Sequence, residues 1–464
     1  MAVQKTISPV DGSVFVERTL AQGVEITEVL ARAATAQLSW RSVPVEQRAA
    51  ICRRFCDAFE AKKDAIATAL TWQMGRPIRY SVNEVRGTLE RARHMIDIAA
   101  EALADVDAGQ KPDFTRFIRR EPLGVVFTVA AWNYPYLIAV NSVVPAIMAG
   151  NSVVLKHSAQ TPLCAERFAE SFREAGLPEG VFQVLHLSHE DTERVAKDPR
   201  VAFVAFTGSV AGGHAIQRAI ADRFIGAGLE LGGCDPAYVR HDANLAHAVE
   251  NLVDGAFFNS GQSCCGIQRI YVHEKLYDDF VAGAVALTRQ YVLGNPTEQA
   301  TTLGPVVRTS AAEQVRKQIA ASIDEGATAA IDERAFAASR VGTPYVAPQL
   351  LLNASNRTSV MREEIFGPVA GVMKVRSDDE AVKLMNDSAF GLTAAIWTED
   401  ADAAVAIGDR VDTGTWFMNR CDYLDPALAW VGVKDSGRGC TLSRVGYEHL
   451  TRPKSFHLRT RTGT

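Results

Sequence analysis

The sequence predicts an α/β protein built on mainly parallel sheets, and three observations carry that expectation. From Gly124 onward, short apolar runs at 124–131, 152–156, 181–186 and 202–207 alternate with segments of helical period that end in turn residues. The alternation resumes after Pro236 and continues to about Val433, which predicts a second α/β domain. Residues 114–121 alternate between side-chain types like a two-faced strand. Strands and helices in alternation pack as a parallel sheet with helices on both faces.

Taken in order, the first hundred residues read as helices. Ile51, Cys52, Phe55, Cys56 and Phe59 fall on one helical face. Cys52 and Cys56 stand one turn apart, as a metal or redox pair would, but buried cysteine more commonly behaves as a small hydrophobe. The next helix stops at Met74-Gly75-Arg76-Pro77, and another helical run spans about 80–106. The most apolar stretch, 125–155, is interrupted by Asn133, Pro135, Asn141, Pro145, Gly150 and Asn151, and no run reaches the roughly 18 apolar residues of a membrane helix. There is no internal repeat and no low-complexity linker.

Length and composition exclude several classes. The 464 residues suffice for roughly three domain-sized units. A hydrophobic content of 47% with 22% charged residues is ordinary for a globular chain and excludes disordered and fibrous classes. The net charge of −5, both signs spread along the chain, argues against a nucleic-acid partner. Eight scattered cysteines and a start without an apolar signal core point to the cytoplasm.

Three segments carry chemistry. Residues 202–213 read as a buried strand, a turn at Gly208-Ser209 and a helix start reaching Gly213; such a turn offers free N–H groups to a phosphate, or is simply a βα loop. Its spacing is not that of the G-x-G-x-x-G fingerprint. Residues 257–266 place Ser263, Cys264 and Cys265 in a turn rich in small residues, where a cysteine has room for a substrate and a backbone N–H for an oxyanion, or is buried and inert. No Cys/His pair at zinc spacing accompanies it, so no metal is expected. Gly228-Leu229-Glu230-Leu231-Gly232-Gly233 puts a carboxylate in an apolar, glycine-flanked site, suited to a base near neutrality or to a structural ion pair.

Together these segments resemble the aldehyde dehydrogenase superfamily, of the non-acylating, hydrolytic type. Trp132-Asn133-Tyr134-Pro135, Ala149 to Lys156, Glu363 to Val369 and Lys434 to Gly439 resemble further family motifs, in family order over nearly the whole chain. The resemblance implies a Rossmann-like NAD(P)-binding domain from 1–106 and 124–231, a catalytic α/β domain from 232–440, and a small β oligomerisation element from 107–123 and 441–464. It also implies a homodimer or homotetramer, for which the two-faced strand would serve as an edge seeking a partner.

The mechanism so implied is covalent. Cys264 attacks the aldehyde, Asn133 and a backbone N–H hold the oxyanion, a hydride passes to NAD or NADP, and Glu230 activates the water that hydrolyses the thioester. Trp132, Lys156, Ser158, Ala159, Gly208, Ser209, Gly213, Leu231, Glu364 and Phe366 would bind the cofactor. Tyr134, Tyr136, Asn141, Ser263, Cys265, Tyr423 and Trp430 would line the substrate tunnel. The chain departs from the family pattern at Cys234 and Ser142, where lysines are usual, at His157 in place of proline, at Ala159 in place of a ribose-binding glutamate, and at 429–432. Losing that glutamate removes a repulsion against a 2′-phosphate, so both dinucleotides are expected to be used. Glu230 argues against a CoA-acylating relative, and retention of Cys264, Asn133 and Glu230 argues against a retired scaffold. Asp422 and Asp425 hint at a cationic aminoaldehyde, and no arginine in these segments is placed for a semialdehyde's carboxylate.

Overall fold

The structure, a computed structural model, describes residues 2–462. Four helices, α1 (Gly23–Trp40), α2 (Val45–Glu60), α3 (Lys63–Met74) and α4 (Ile78–Ala102), precede the first large sheet. Cys52 and Cys56 lie in their core with Phe55 and Phe59, each at most 1% exposed, and behave as packing residues. The chain before α1 differs from the helical expectation. Val3–Ile7 and Val14–Thr19 form an antiparallel hairpin whose strands bury little more than Thr6 and Val16, too faint a period to read against helix.

The first sheet has six strands in the spatial order Gly437–Arg438, Gly226–Glu230, Val201–Thr207, Val125–Ala130, Ser152–His157 and Phe182–Val184. The five between 125 and 230 run parallel. Val125–Ala130 and Ser152–His157 are buried at every position, as strands covered on both faces must be. Each large aliphatic side chain buried there contributes about 1.5–3 kcal/mol. Helix α5 (Pro135–Met148) links these two strands, with Pro135 in its first turn, where a missing N–H costs nothing.

A second sheet of seven strands is ordered Thr328–Ala329, Gln349–Leu352, Val369–Val375, Ile267–His273, Asp235–Val239, Thr393–Trp397 and Thr415–Met418, parallel except at the Thr328–Ala329 edge. Its chain is shorter than the 232–440 assigned to it. Gly437–Arg438 pairs antiparallel with Gly226–Glu230, and Leu442, Tyr447 and Leu450 pack into the core beneath α4 and α5. The C-terminal passage therefore returns to the Gly226–Glu230 edge of the first sheet. A third, antiparallel sheet joins Thr451–Arg459, Phe114–Pro122 and Val106–Asp107; Phe114–Pro122 is its central strand, not the edge expected, because Thr451–Arg459 pairs along its whole length.

Candidate active site

The two parallel sheets meet around the turn that carries Cys264. Helix Leu245–Phe257 gives way to a single 3-10 turn, Phe258–Gly261, in which Asn259 and Ser260 adopt φ of 54° and 57°. Left-handed backbone costs a non-glycine residue roughly 1–2 kcal/mol, and local bonds offset it. Asn259 Nδ2 donates to the carbonyls of Asn133 and Gln262, each at 3.1 Å, and Ser260 Oγ donates to Gly304 O at 2.8 Å. Two glycines let the turn sit where it does. A Cβ on Gly261 would collide with the Gly367 carbonyl, and one on Gly233 with the Cys264 carbonyl. The Cys264 turn is thus clamped between the segment after Glu230 and the segment carrying Phe366.

Asn133 is held from below by a buried charge network. Arg76, 3% exposed, ion-pairs with Glu84, donates Nη2 to Asn133 O at 2.6 Å and Nε to Asn259 Oδ1 at 3.0 Å. Glu84 Oε1 accepts the Tyr136 N–H at 2.8 Å, which also satisfies the start of α5. The Asn133 amide points towards the Cys264 turn and donates to Gln262 O at 3.3 Å.

Glu230 ends its strand beside Thr207, its partner in the parallel ladder. Thr207 Oγ1 donates to Oε2 at 3.1 Å and Thr441 Oγ1 to Oε1 at 2.6 Å. Burial raises its pKa against these two hydroxyls and the more distant charge of Arg91. It remains a carboxyl group with only neutral donors in contact.

Cys264 and Glu230 line one cavity of about 820 Å³, within the usual range for a small-molecule site. Tyr134, Asn141, Cys265, Tyr423 and Trp430 line it as well. Tyr136 does not. It is fully buried between Phe59 and Phe168, at centroid distances of 5.2 and 5.5 Å, because α5 turns that position towards the helices and away from the cavity. Ser263 lies behind the wall and donates to Asp422 Oδ1 at 2.9 Å, as Cys265 Sγ does at 3.0 Å. Asp422 therefore braces the Cys264 turn, and burial pushes its pKa up to about 6. Asp425 is exposed and accepts the Ala427 N–H in a turn. The residue that sequence reading missed is Arg91, which reaches the cavity from α4. The signal was present: Glu84 and Arg91 are charged residues two helical turns apart on the buried face of α4.

The residues expected to bind a cofactor lie in and just after strands of the first sheet, except Glu364 and Phe366, which precede Val369–Val375 of the second. Gly208 N–H bonds Glu230 O at 3.1 Å, and Ser209 caps the helix Val210–Ala219 by accepting the Gly212 N–H at 3.2 Å. Leu231 packs beneath Gly213. Glu364 Oε1 accepts the Gly233 N–H at 3.1 Å, and burial raises its pKa to about 7. Phe366 meets Trp132 edge-on at 5.5 Å. Ala159 O is held by Thr6 Oγ1 of the N-terminal hairpin at 2.7 Å, and the Gln160 N–H donates to Ser158 Oγ at 3.2 Å. Lys156 is 8% exposed, its pKa is lowered to about 8 by burial, and no carboxylate among the described residues pairs with it. Glycines at a helix start, with a buried ammonium near the end of a strand two places across the sheet that no described carboxylate pairs, fit a dinucleotide. At the positions of departure, Cys234 accepts from Gln268 Nε2 at 3.3 Å, Ser142 hydrogen-bonds Thr128 at 2.8 Å, and His157 Nε2 contacts Pro135 O at 3.1 Å.

The fold defines a doubly wound α/β protein with a thiol and a buried carboxyl group facing one crevice between two parallel sheets. The chain belongs to the aldehyde dehydrogenase family, whose model matches residues 2–456. It is 33% identical over 456 residues to a succinate-semialdehyde dehydrogenase [NADP(+)] of Mycobacterium avium, covering 98% of this chain and 96% of that one. It is 34% identical over 457 residues to succinate-semialdehyde dehydrogenase [NADP(+)] 1 of Mycobacterium tuberculosis, covering 98% and 99%. Among solved structures it matches succinic semialdehyde dehydrogenase from Streptococcus pyogenes in complex with NADP+, with a TM-score of 0.94, 28% identity and coverage of 98% and 100%. It also matches an NAD-dependent aldehyde dehydrogenase from Sinorhizobium meliloti, with a TM-score of 0.95, 30% identity and coverage of 100% and 92%.

Proposed function

We propose that the protein oxidises an aldehyde to the carboxylic acid with NAD or NADP, through a thioester on Cys264 that Glu230 helps to hydrolyse. The observation that carries this reading is that Cys264 and Glu230 face the same cavity although Glu230 ends a strand of the first sheet and Cys264 lies in the turn leading into a strand of the second. The Cys264 thiolate adds to the aldehyde carbon, and the resulting oxyanion is held by the Asn133 amide and the Cys264 N–H. A bound nicotinamide supplies the hydride acceptor. Loss of hydride from the thiohemiacetal carbon leaves a thioester. Glu230 takes a proton from water, hydroxide adds to the acyl carbon, and the thiolate departs with the acid released. The raised pKa of Glu230 suits a base working near neutrality.

The succinate-semialdehyde specificity of the relatives makes a carboxylated aldehyde the first substrate to try. Ala159 and the unpaired Lys156 favour use of NADP beside NAD. The eight free cysteines fit a reducing compartment such as the cytoplasm, and no described helix is long and apolar enough to cross a membrane. The exposed strand Thr451–Arg459 suits a homo-oligomer. The test is reduced-cofactor formation with an aldehyde and no CoA. Turnover without CoA is expected; a strict need for CoA would assign an acyl-transfer enzyme, and silence over aliphatic, aromatic and carboxylated aldehydes would overturn the assignment.

A further inference from the structure

Arg91 has no structural explanation of the kind Arg76 has. It is nine-tenths buried, and a buried guanidinium without a counter-ion costs several kcal/mol unless something compensates it. Arg76 has Glu84 in contact. Arg91 has no carboxylate within ion-pair distance among the described residues; its only bonds run from Nη1, to Leu137 O at 3.1 Å and Asn141 Oδ1 at 3.2 Å. Both acceptors lie on α5, and they fix the plane of the guanidinium. Nε and Nη2, one edge of the fork, are left without a protein partner, while the side chain lines the cavity that holds Cys264 and Glu230. An arginine edge with two parallel N–H donors matches the two oxygens of a carboxylate.

The geometry points to Arg91 as the residue that holds the carboxylate of an ω-oxo acid while its aldehyde end lies at Cys264. This deepens the covalent reading above and rests on it. Leu137, Ile138 and Trp430 supply apolar wall for the methylenes between the two ends. The acidic residues around the cavity do not make it a cation site. Asp422 is engaged by Ser263 and Cys265, Glu90 accepts the Tyr423 hydroxyl at 3.0 Å, and Glu230 is bonded by two threonines. Glu250 and Asp254 stand exposed at the rim, where water screens them.

The experiment compares 4-oxobutanoate, butanal and 4-aminobutanal, three aldehydes of one chain length and different charge. The wild type is expected to prefer 4-oxobutanoate to both. In Arg91→Met the ratio of kcat/KM for 4-oxobutanoate over butanal should fall at least about 100-fold, whatever loss the two share. Arg91→Lys, which keeps the charge and loses the fork, should lower that ratio by about 10-fold and serves if the methionine variant does not fold. Glutarate should inhibit wild-type butanal oxidation competitively, and more weakly in Arg91→Lys. An unchanged ratio in both variants would make Arg91 a positioning residue for Cys264 or Glu230 and overturn the assignment, as would a wild-type preference for 4-aminobutanal. Failure of the wild type on all three aldehydes would instead count against the covalent reading itself.

Discussion

Glu84, buried beneath the start of α5, and Glu230, half-buried where it lines the cavity, have surroundings that differ in kind. Glu84, under α5, is ion-paired with Arg76 and accepts a backbone N–H. Glu230, at the end of the first sheet, touches only the hydroxyls of Thr207 and Thr441, and its pKa is raised by burial. The Glu84 region spends its charge entirely on internal partners and is rigid scaffolding for Asn133. The Glu230 region is under-compensated, which leaves a carboxyl group able to take and release a proton. The two arginines repeat the contrast, Arg76 fully engaged and Arg91 open on one edge. A buried charge completely matched by protein reads as structure; one left partly unmatched beside a cavity reads as chemistry.

Substitutions can break this contrast or sharpen it. The largest effect is expected at the nucleophile: Cys264→Ala should lower kcat by about 10⁴-fold or more, while Cys265→Ala, whose thiol serves the Asp422 brace, should stay within about 10-fold of wild type. Steady-state kinetics on the two variants checks this, and the reverse result would assign the neighbouring cysteine. Next is Glu84→Gln, which leaves Arg76 buried without its counter-ion and should cost about 3–5 kcal/mol of stability in denaturant unfolding. Glu230→Gln should unfold close to wild type in the same experiment. Equal losses in both would erase the distinction between scaffold and chemistry.

A smaller effect tests the cofactor residues. Ala159→Glu should raise the KM for NADP about tenfold relative to that for NAD, since a carboxylate there repels a 2′-phosphate. An unchanged ratio would place dinucleotide selection elsewhere, Lys156 being the nearest alternative. The pH profile follows from Glu230. Its pKa lies above that of an ordinary glutamate, so the base form disappears as pH falls through that raised value. Deacylation should therefore slow on the acid side while thioester formation continues.

How much of this was legible before folding depends on whether a feature is local. Cys264, Glu230 and the Gly208-Ser209 turn sit in short segments that the sequence singles out by resemblance, and the fold brings Cys264 and Glu230 to one cavity and puts Ser209 at a helix start. The buried strands at 125–130 and 152–157 were equally plain, because continuous apolar runs have few other uses. The N-terminal hairpin was not, since most of its strand positions face solvent and carry no apolar period. Tyr136 was misplaced by proximity to Asn133: one step along a helix rotates a side chain by about 100°, enough to turn it from cavity to core. Arg76, Glu84 and Arg91 act across contacts with α5 and the Cys264 turn, and only the fold brings these together. For Glu84 and Arg91 the trace in the sequence was charge on the buried face of a helix; Arg76, in the turn between α3 and α4, left none.

The proposed division of labour between Cys264 and Glu230 is tested most directly by rapid mixing of Glu230→Gln with cofactor and aldehyde. The thiolate attack and hydride loss precede any need for an activated water, so a burst of reduced cofactor close to one equivalent per active site is expected, followed by slow turnover and a trapped acyl-enzyme detectable by mass. A Glu230→Gln protein with the full steady-state rate, or with neither burst nor acyl adduct, would contradict it.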